Sequence, residues 1–182
     1  MSMPSKSSTR IGFETIEREL RKRDFGVLGT ISPEGHPHST GVLYAVSERT
    51  KPLQIYIISR TRNRKVRNIA ANPNVSFVVP LARRLLAIVP PNCIQFQGVA
   101  KILEAANESA VKVYQSSWFL RLVSKIESDI VSTRGGEACF IRISPAPIIF
   151  TYGVGLLPWE LLGHAADAAA RVEIPRERLP TD

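Results

Sequence analysis

The chain has 182 residues, of which 44% are hydrophobic and 22% are charged. This length and composition are typical of one globular domain that needs no disulfide or structural metal, and they exclude a wholly disordered chain, a collagen-like repeat and a polytopic membrane protein. The net charge of +8 is uneven, because residues 1–91 carry +9 and residues 92–182 carry −1. The basic half indicates either a solvated surface or an anionic partner, such as nucleic acid, membrane phosphate or a phosphorylated cofactor.

The two ends of the chain differ in composition from the region between them. Residues 1–10 are rich in Ser and Lys and lack the apolar core of a secretory signal, which predicts a disordered leader. Residues 11–164 are expected to form the domain, and residues 165–182, rich in Ala, Arg and Pro, a loose tail. No uninterrupted apolar stretch approaches the roughly 20 residues that span a bilayer, so we expect a soluble protein of the cytoplasm. Cys93 and Cys139 form no Cys-x-x-Cys motif and are expected to be free thiols.

Apolar periodicity predicts the elements of the first half. These are an amphipathic helix over 11–23, strands over 25–31 and 37–46 joined by a turn at 32–35, a strand over 53–59, a short helix over 62–71 and a strand over 74–80. Most of these strands are separated by tight turns rather than by long helices. That order favours an antiparallel barrel over a doubly wound parallel sheet.

The second half has fewer clear boundaries. The expected elements are an ambiguous segment over 81–92, a strand over 93–103 with a bulge at Gly98, helix over 104–131, a loop at 134–136, strands over 138–143 and 148–153, and a helical turn within 156–164. The glycine-rich phosphate motifs of Rossmann and P-loop folds are absent from the sequence. The fold prediction is therefore a mainly β protein with peripheral helices.

The strongest local feature is a basic cluster at residues 59–68. Five of the eight residues from Arg60 to Arg67 are cationic, and they follow a predicted strand and open a predicted helix. A helix N-terminus offers free backbone N–H groups and the positive end of its dipole, and arginine adds a planar fork that fits phosphate. The cluster therefore predicts a phosphate site, although a solvated helix start is the alternative.

Other chemistries find less support in the sequence. His36 and His38 alternate on a strand, but a zinc site needs a third or fourth ligand and none is near in sequence, so we expect no metal. The segment 59–68 has no aromatic residue for base stacking, so we expect no nucleic acid partner. Paired carboxylates and a nucleophile motif are also missing, which favours an enzyme whose cofactor performs the chemistry.

Four segments together resemble the flavin-binding split-barrel superfamily that is named for pyridoxamine 5'-phosphate oxidase. They are Gly26–Ile31, Pro37–Val42, Ile57–Ser59 and the run Arg64–Ser76, which contains Arg64-Lys65, Asn68 and Asn72-Pro73. The resemblance covers about a third of the chain closely. It implies a six-stranded antiparallel split barrel that forms a homodimer, with two flavin sites at the interface and residues of both chains in each site.

The resemblance also implies which residues hold the cofactor. His38, Ser39, Thr40, Gly41 and Val42 would lie along the flavin ring and ribityl chain, with Ile58 and Ser59 at the phosphate end. Arg64 and Lys65, with Arg60 beside them, would bind the phosphate. Gln97, or Gln95 in the other register, would reach the ring from the second chain. No side chain is assigned a catalytic role.

Two departures from the oxidase pattern weaken the assignment of its substrate. The oxidase holds its substrate with Tyr, Arg and Ser at steps of four, whereas here Tyr114 is followed by Trp118 and Leu122. Its C-terminal Trp-Arg pair is also missing, since Trp159 is followed by Glu160. The resemblance therefore implies an oxidoreductase that uses FMN to transfer a hydride to or from an unknown small substrate. A deazaflavin coenzyme in the same fold, or a flavin- or haem-binding protein without turnover, are the alternatives.

Overall fold

The computed structural model describes residues 11–81, 92–116, 137–154 and 169–180. The helices are α1 (Phe13–Arg21), α2 (Arg64–Ala71) and α3 (Glu108–Gln115), with a 3-10 turn at Arg176–Arg178. The strands are β1 (Phe25–Ile31), β2 (Pro37–Leu43), β3 (Ala45–Val46), β4 (Ile55–Arg60), β5 (Asn74–Pro80), β6 (Cys93–Glu104), β7 (Ala138–Tyr152) and β8 (Ala169–Glu173). This mainly β composition confirms the predicted fold class.

All strand pairs in the described residues are antiparallel, and they form one sheet in the order β2-β1-β5-β6-β7-β4-β3, with β8 also paired to β7. β2 and β3 lie at opposite ends of this order, yet only Tyr44 separates them in the chain. The sheet must therefore curl until its ends meet, which makes it a barrel. The expectation of six strands was too low, since this sheet has eight.

The strands form where buried and exposed side chains alternate. In β5, for example, Val75, Phe77 and Val79 are buried while Ser76 points outward. The turn between β1 and β2 closes with the amide of Gly35 donating to Ser32 O at 2.9 Å, and Gly35 has a φ of 85°, which glycine adopts without strain. Sequence alternation and turn chemistry therefore specify this part of the barrel locally.

The barrel interior is the main core, and helices cover parts of its surface. α1 contributes Phe13, Ile16 and Leu20 to this core, and α2 contributes Val66 and Ile69. A second, smaller cluster lies on the outside of β4 and β7, under α3; it consists of Ala45, Tyr56, Ala110, Val113, Tyr114 and Phe140. α3 thus covers one outer side of the barrel, while α2 packs beside β1 and β6.

β7 is one strand of 15 residues, whereas the sequence predicted two strands interrupted at Pro145 and Pro147. The register between β6 and β7 shifts between Phe96 and Gly98, which confirms the expected irregularity at Gly98. A side chain at Gly98 would collide with the carbonyl oxygen of Ser144, so only glycine fits there. Residues 146–148 of β7 lie opposite the single Gln97 of β6, so Pro147 is accommodated in a bulge and β7 pairs with β6 on both sides of it.

The expectation of a loose tail over 165–182 was wrong for residues 169–180. β8 pairs with β7 from Ile148 to Tyr152, and the amide of Ile174 donates to Pro147 O at 2.8 Å. Arg178 then hydrogen-bonds the carboxylate of Glu17 on α1 at 2.8 and 3.0 Å. The segment is ordered because β4 leaves β7 after Ile143, and the vacated edge offers unpaired backbone groups.

Several expectations lie outside the described residues. They are the leader over 1–10, most of the ambiguous segment over 81–92, the later part of the helix expected over 104–131, the loop at 134–136 and the helical turn within 156–164. The domain boundaries at 11 and 164 stay predictions. Among the helices that the structure describes, none is long and apolar enough to cross a membrane.

Candidate functional site

The candidate site is a gap between β2 and β4, bounded by residues 38–42 and 58–60. β2 pairs with β1, while β4 pairs with β3 and β7. β2 and β4 approach each other, but in the described residues no backbone hydrogen-bond ladder joins them. One edge of β2 therefore faces the gap, and an edge of this kind presents backbone N–H and C=O groups to a ligand.

Tyr114 of α3 bridges the two strands at the closed end of the gap. Its hydroxyl accepts a hydrogen bond from the Ile58 amide at 2.9 Å. It also lies 3.3 Å from Tyr56 O and 3.5 Å from Leu43 O, to which it can donate. A side chain thus makes the connection that backbone pairing would make between neighbouring strands. Because Tyr114 lies 56 residues from Ile58, no local sequence pattern indicates this role.

The N-terminus of α2 lies directly after β4 and is arranged to receive an anion. Asn63 is the N-cap residue, but its side chain makes no cap hydrogen bond and instead donates to Ser59 Oγ at 3.1 Å. The first turn of α2 contains no acidic residue and begins with Arg64 and Lys65. Uncapped amides, the helix dipole and two cations therefore act together at this end of the gap.

The charges of Arg64 and Lys65 act on two neighbouring ionisable groups. The pKa of Glu34, in the turn between β1 and β2, is lowered by hydrogen bonds from Ser32 and its own backbone, and further by the charge of Arg64. Burial raises the pKa of the Cys139 thiol, while the charge of Lys65 opposes that increase. The charge of Arg64 thus reaches the β1–β2 turn, and that of Lys65 reaches Cys139 on β7.

A buried polar chain connects α2 to the opposite side of the gap. Asn68 Nδ2 donates to Thr30 Oγ1 at 2.9 Å, and Thr30 Oγ1 donates to the backbone oxygen of His38 at 3.3 Å. The Thr40 hydroxyl lies 3.3 Å from His38 Nδ1, which restrains the half-buried imidazole. Asn68 lies in the basic cluster, but its side-chain role and that of Thr30 were not predicted from the sequence.

The residues expected at the site divide between the two faces of the barrel wall. His38, Thr40 and Val42 share the face of β2 that is directed to the interior, whereas Ser39 and Gly41 are exposed on the other face. This alternation follows from the pleat of the strand. Both faces meet at the edge of β2, so the gap is the place where all five residues can approach one ligand.

The residues expected on β4 also alternate. Ser59 is only 2% exposed, and its hydroxyl receives the Asn63 amide, so it fixes the turn that precedes α2. Ile58 packs against the cluster under α3, and Arg60 is half-buried on the same side of β4. The structure therefore places Ile58, Ser59 and Arg60 beside the gap. The Ser59 side chain is buried there and holds the turn before α2.

Gln95 and Gln97 both point outward, because Phe96 between them is buried. We define the outer face as the outward-facing residues of β1, β2, β5, β6 and the end of β7. Strand register places Gln97 on this face, in a row with Ser76, Gly29 and Ser39. Three strand spacings separate Gln97 from Ser39, or about 14 Å at 4.8 Å each. Within one chain Gln97 is therefore not beside the gap.

No group of three or more His, Cys, Asp or Glu side chains in the described part of the chain is placed to hold a metal ion. The chemistry of the gap is instead that of an anion site next to a strand edge. It offers cations, helix amides and backbone hydrogen-bonding groups. These suit a ligand with a phosphate at one end and a planar polar body at the other.

Comparisons with known proteins agree with this geometry. A family model described as pyridoxamine 5'-phosphate oxidase matches residues 13–150. A 5a,11a-dehydrotetracycline/5a,11a-dehydrooxytetracycline reductase of Streptomyces rimosus is 37% identical over 60 residues. That match covers 33% of this chain and 42% of the reductase, so it spans less than half of the relative's length.

Two solved structures illustrate the shared fold. The heme storage protein HutZ of Vibrio cholerae superimposes with a TM-score of 0.60 at 19% identity, covering 80% of this chain and 98% of that one. A FAD-binding protein of Mesorhizobium loti has a TM-score of 0.51 at 18% identity, covering 73% of this chain and 87% of that one. At these identities the likeness concerns the fold alone.

Proposed function

Because the chain belongs to the pyridoxamine 5'-phosphate oxidase family, we propose that it binds a flavin in the gap between β2 and β4 and acts as an oxidoreductase. The reaction would move a hydride between the flavin and a small substrate. The observation that carries this proposal is the N-terminus of α2, which has no side-chain cap and no acidic residue in its first turn, and which begins with Arg64 and Lys65. The reductase name of the Streptomyces relative also supports it.

The residues at the gap fit FMN from one end to the other. Arg64, Lys65 and the α2 amides would hold the phosphate, with Arg60 beside them. The free edge of β2 would give hydrogen bonds to the polar rim of the flavin, and the exposed side of Ser39 and Gly41 would leave room for its ring. A bound flavin supplies the centre that accepts or gives a hydride.

We assign His38 a positioning role and no obligatory proton transfer. Its imidazole contacts the Thr40 hydroxyl, and its backbone oxygen accepts from Thr30. The ring therefore lies on a restrained segment of β2. This segment sets the shape of the strand edge along which the flavin would lie.

Two alternatives have specific support. Arg62 and Arg67 are exposed beside the phosphate end, and these additional cations would suit a deazaflavin coenzyme with a longer anionic tail. The fold shared with the heme storage protein favours haem binding without turnover, with the His38 imidazole at the gap as a candidate ligand. Absorption spectra of the purified protein after addition of FMN, deazaflavin coenzyme or haem would separate these ligands.

We also propose that the protein is a homodimer. Four large apolar side chains are exposed on the outer face: Phe25 (46%), Ile31 (37%), Val99 (54%) and Phe150 (46%). Removing these apolar side chains from water would favour association of this face with a second copy of the chain. A second copy placed there would bring the partner's Gln97 toward the gap, which one chain cannot do by itself.

Phosphate binding is the decisive test of the proposed site. Replacing Arg64 or Lys65 with Ala should weaken FMN binding by about 1.5–3 kcal/mol, the range for a hydrogen bond to a charged group. The affinity for riboflavin, which lacks the phosphate, should remain the same in these variants. Arg49→Ala, an exposed cation in the turn before β4, is the matched control and should bind FMN normally. Unchanged FMN affinity in both site variants, measured by fluorescence titration, would refute the assignment.

A further inference from the structure

A groove of about 650 Å³ opens beside the phosphate end of the gap and has no role in the proposed flavin site. Its floor contains Ile102, Leu103 and Ala138, and its rim contains Thr61, Glu104 and Glu137. This volume lies within the range of about 300–1,000 Å³ that is usual for small-molecule sites. Carboxylates are the charged groups among the described residues that line it.

The groove borders the anion site, because its lining residue Thr61 directly follows Arg60 and its lining residue Cys139 experiences the charge of Lys65. The Thr61 amide donates to Glu137 O at 3.0 Å, and the Glu137 amide donates to Thr61 Oγ1 at 3.3 Å. These two bonds extend the β4–β7 ladder by one step and fix the wall between the α2 turn and the groove. Thr61 therefore lies at the border of the groove and the turn before α2, so a ligand held by its phosphate at α2 would extend toward the groove.

The residues that line the groove determine which kind of chemical group could bind there. A further phosphate would be repelled by Glu104 and Glu137, so the group in the groove should be uncharged or cationic. Aliphatic and alanine side chains accommodate a flat apolar body, and carboxylates accept hydrogen bonds from hydroxyl or amino groups. A carboxylate that binds the ribose hydroxyls of an adenine nucleotide is a recurrent arrangement in dinucleotide sites.

We propose that this groove is a subsite for an adenosine group with a free ribose diol, joined through phosphate to the anion site at α2. The inference rests on the proposed flavin function. The same adenosine chemistry occurs in FAD and in NAD, and the experiment distinguishes these two sources. A ribose that carries a 2'-phosphate, as in NADP, would place a second anion against the carboxylates and is disfavoured.

The test compares two groove variants with one control. Glu104→Gln with Glu137→Gln removes both charges at nearly constant volume, and Ala106→Phe occupies space in the groove. Glu108→Gln removes an exposed carboxylate at the start of α3, outside the lining. Affinities for FMN, FAD, NAD⁺ and NADP⁺ would be measured by calorimetry for each protein.

We expect FAD to bind at least tenfold more tightly than FMN, and both groove variants to abolish that difference while FMN affinity stays within twofold. If FAD and FMN bind equally, but NAD⁺ binds more tightly than NADP⁺ and is weakened by both variants, the adenosine belongs to a nicotinamide cofactor and the subsite stands. Adenosine nucleotides that fail to bind, or that bind all proteins equally, would overturn the inference. Failure of FMN and FAD alone, with NAD⁺ still sensitive to the variants, would instead refute the proposed flavin function.

Discussion

Asn68 connects the helix that carries the cations to the strand pair on the far side of the gap. Its side chain is 2% exposed and donates to Thr30, which is equally buried. A buried polar group without its partner costs about 1–3 kcal/mol. The hydrogen bond therefore contributes to stability and links α2 to β1, and through the Thr30–His38 bond to β2.

Replacing Asn68 with Leu should destabilise the protein by about 1–3 kcal/mol and weaken FMN binding more than riboflavin binding. The first effect follows because the buried Thr30 Oγ1 would lose the donor that it accepts from and keep only its bond to His38 O, and the second follows from displacement of the α2 N-terminus. Urea denaturation and ligand titration would measure them. Asn74→Ala, which removes an exposed amide bound to Asn72, is the control and should change stability by less than about 0.5 kcal/mol. If Asn68→Leu weakened FMN and riboflavin binding equally, Asn68 would contribute to folding but not to the position of the α2 N-terminus.

At the scale of secondary structure, the separation of β2 from β4 depends on α3. The Tyr114 hydroxyl satisfies the Ile58 amide and reaches carbonyl oxygens on both sides. Its ring also packs on Phe140, with 5.3 Å between ring centroids. One side chain thus fills the space under α3 and closes one end of the gap.

Tyr114→Phe should keep this packing but leave the Ile58 amide without its acceptor. We expect a loss of about 1–3 kcal/mol in the free energy of unfolding and faster amide hydrogen exchange at Ile58. Tyr152→Phe on the outer face is the matched control, because it removes a hydroxyl from a half-buried ring. If Ile58 exchanges at the same rate in Tyr114→Phe as in the control, the hydroxyl is not what closes the gap.

The elements that were predictable from sequence are those specified by local patterns. β1 and β5 have the predicted bounds, because alternating side chains and nearby turn residues define both. β8 was missed, since Ala169–Glu173 has a single buried residue, Val172, and gains its place only from the edge of β7. The prolines in β7 suggested a break, but residues 146–148 form a bulge opposite Gln97 that depends on the pairing of β7 with β6, which is not visible in the local sequence.

The candidate site follows the same division. The basic cluster at the start of α2 was visible in the sequence because its residues are adjacent and the helix start is a local feature. Tyr114 and Thr30 were not, because their partners lie 56 and 38 residues away. Sequence patterns indicated an anion site at the start of α2, whereas long-range packing determines the shape of the gap.

At the scale of the whole molecule, the C-terminal segment is attached to α1 by a buried ion pair. Burial alone would raise the pKa of Glu17, but hydrogen bonds from Arg178 and Arg21, with the charges of both, hold it below its usual value. Arg178 also donates to Lys51 O at 2.9 Å and lies over the ring of Phe13 at 5.6 Å. This arrangement connects residues that are far apart in the chain.

The direction of the Glu17 shift predicts how stability depends on pH. A carboxyl with a lowered pKa in the folded state stabilises it above the ordinary value of 4.5, and this contribution is lost as pH falls through the folded value. Glu17→Gln should therefore be about 1.5–3 kcal/mol less stable at pH 7, and the difference should shrink below about pH 4.5. Glu48→Gln, which breaks an exposed pair with Lys112, should change stability little. Denaturation at several pH values would measure this, and a difference that persists unchanged at pH 3 would contradict it.

Assembly can be tested on the outer face. Phe150 is 46% exposed and lies in register with Gln95 on β6 and Arg171 on β8. Replacing it with Glu should convert the proposed homodimer to a monomer in light scattering and weaken flavin binding, because the partner's Gln97 is lost. Gln115→Glu, at an exposed position of α3, should neither dissociate the homodimer nor weaken flavin binding. A wild-type monomer at micromolar concentration with flavin bound would refute the dimer.

One edge of β7 pairs first with β4 and then with β8, and this change of partner strand affects how readily the folded chain aggregates. β4 covers the first part of one β7 edge and β8 covers the last part, from Ile148 to Tyr152. If proteolysis removed β8, that stretch would present a row of open backbone groups on a strand with apolar side chains. Such edges pair readily with strands of other molecules and begin aggregation. β8 therefore covers the part of the β7 edge through which the barrel could otherwise pair with strands of other molecules.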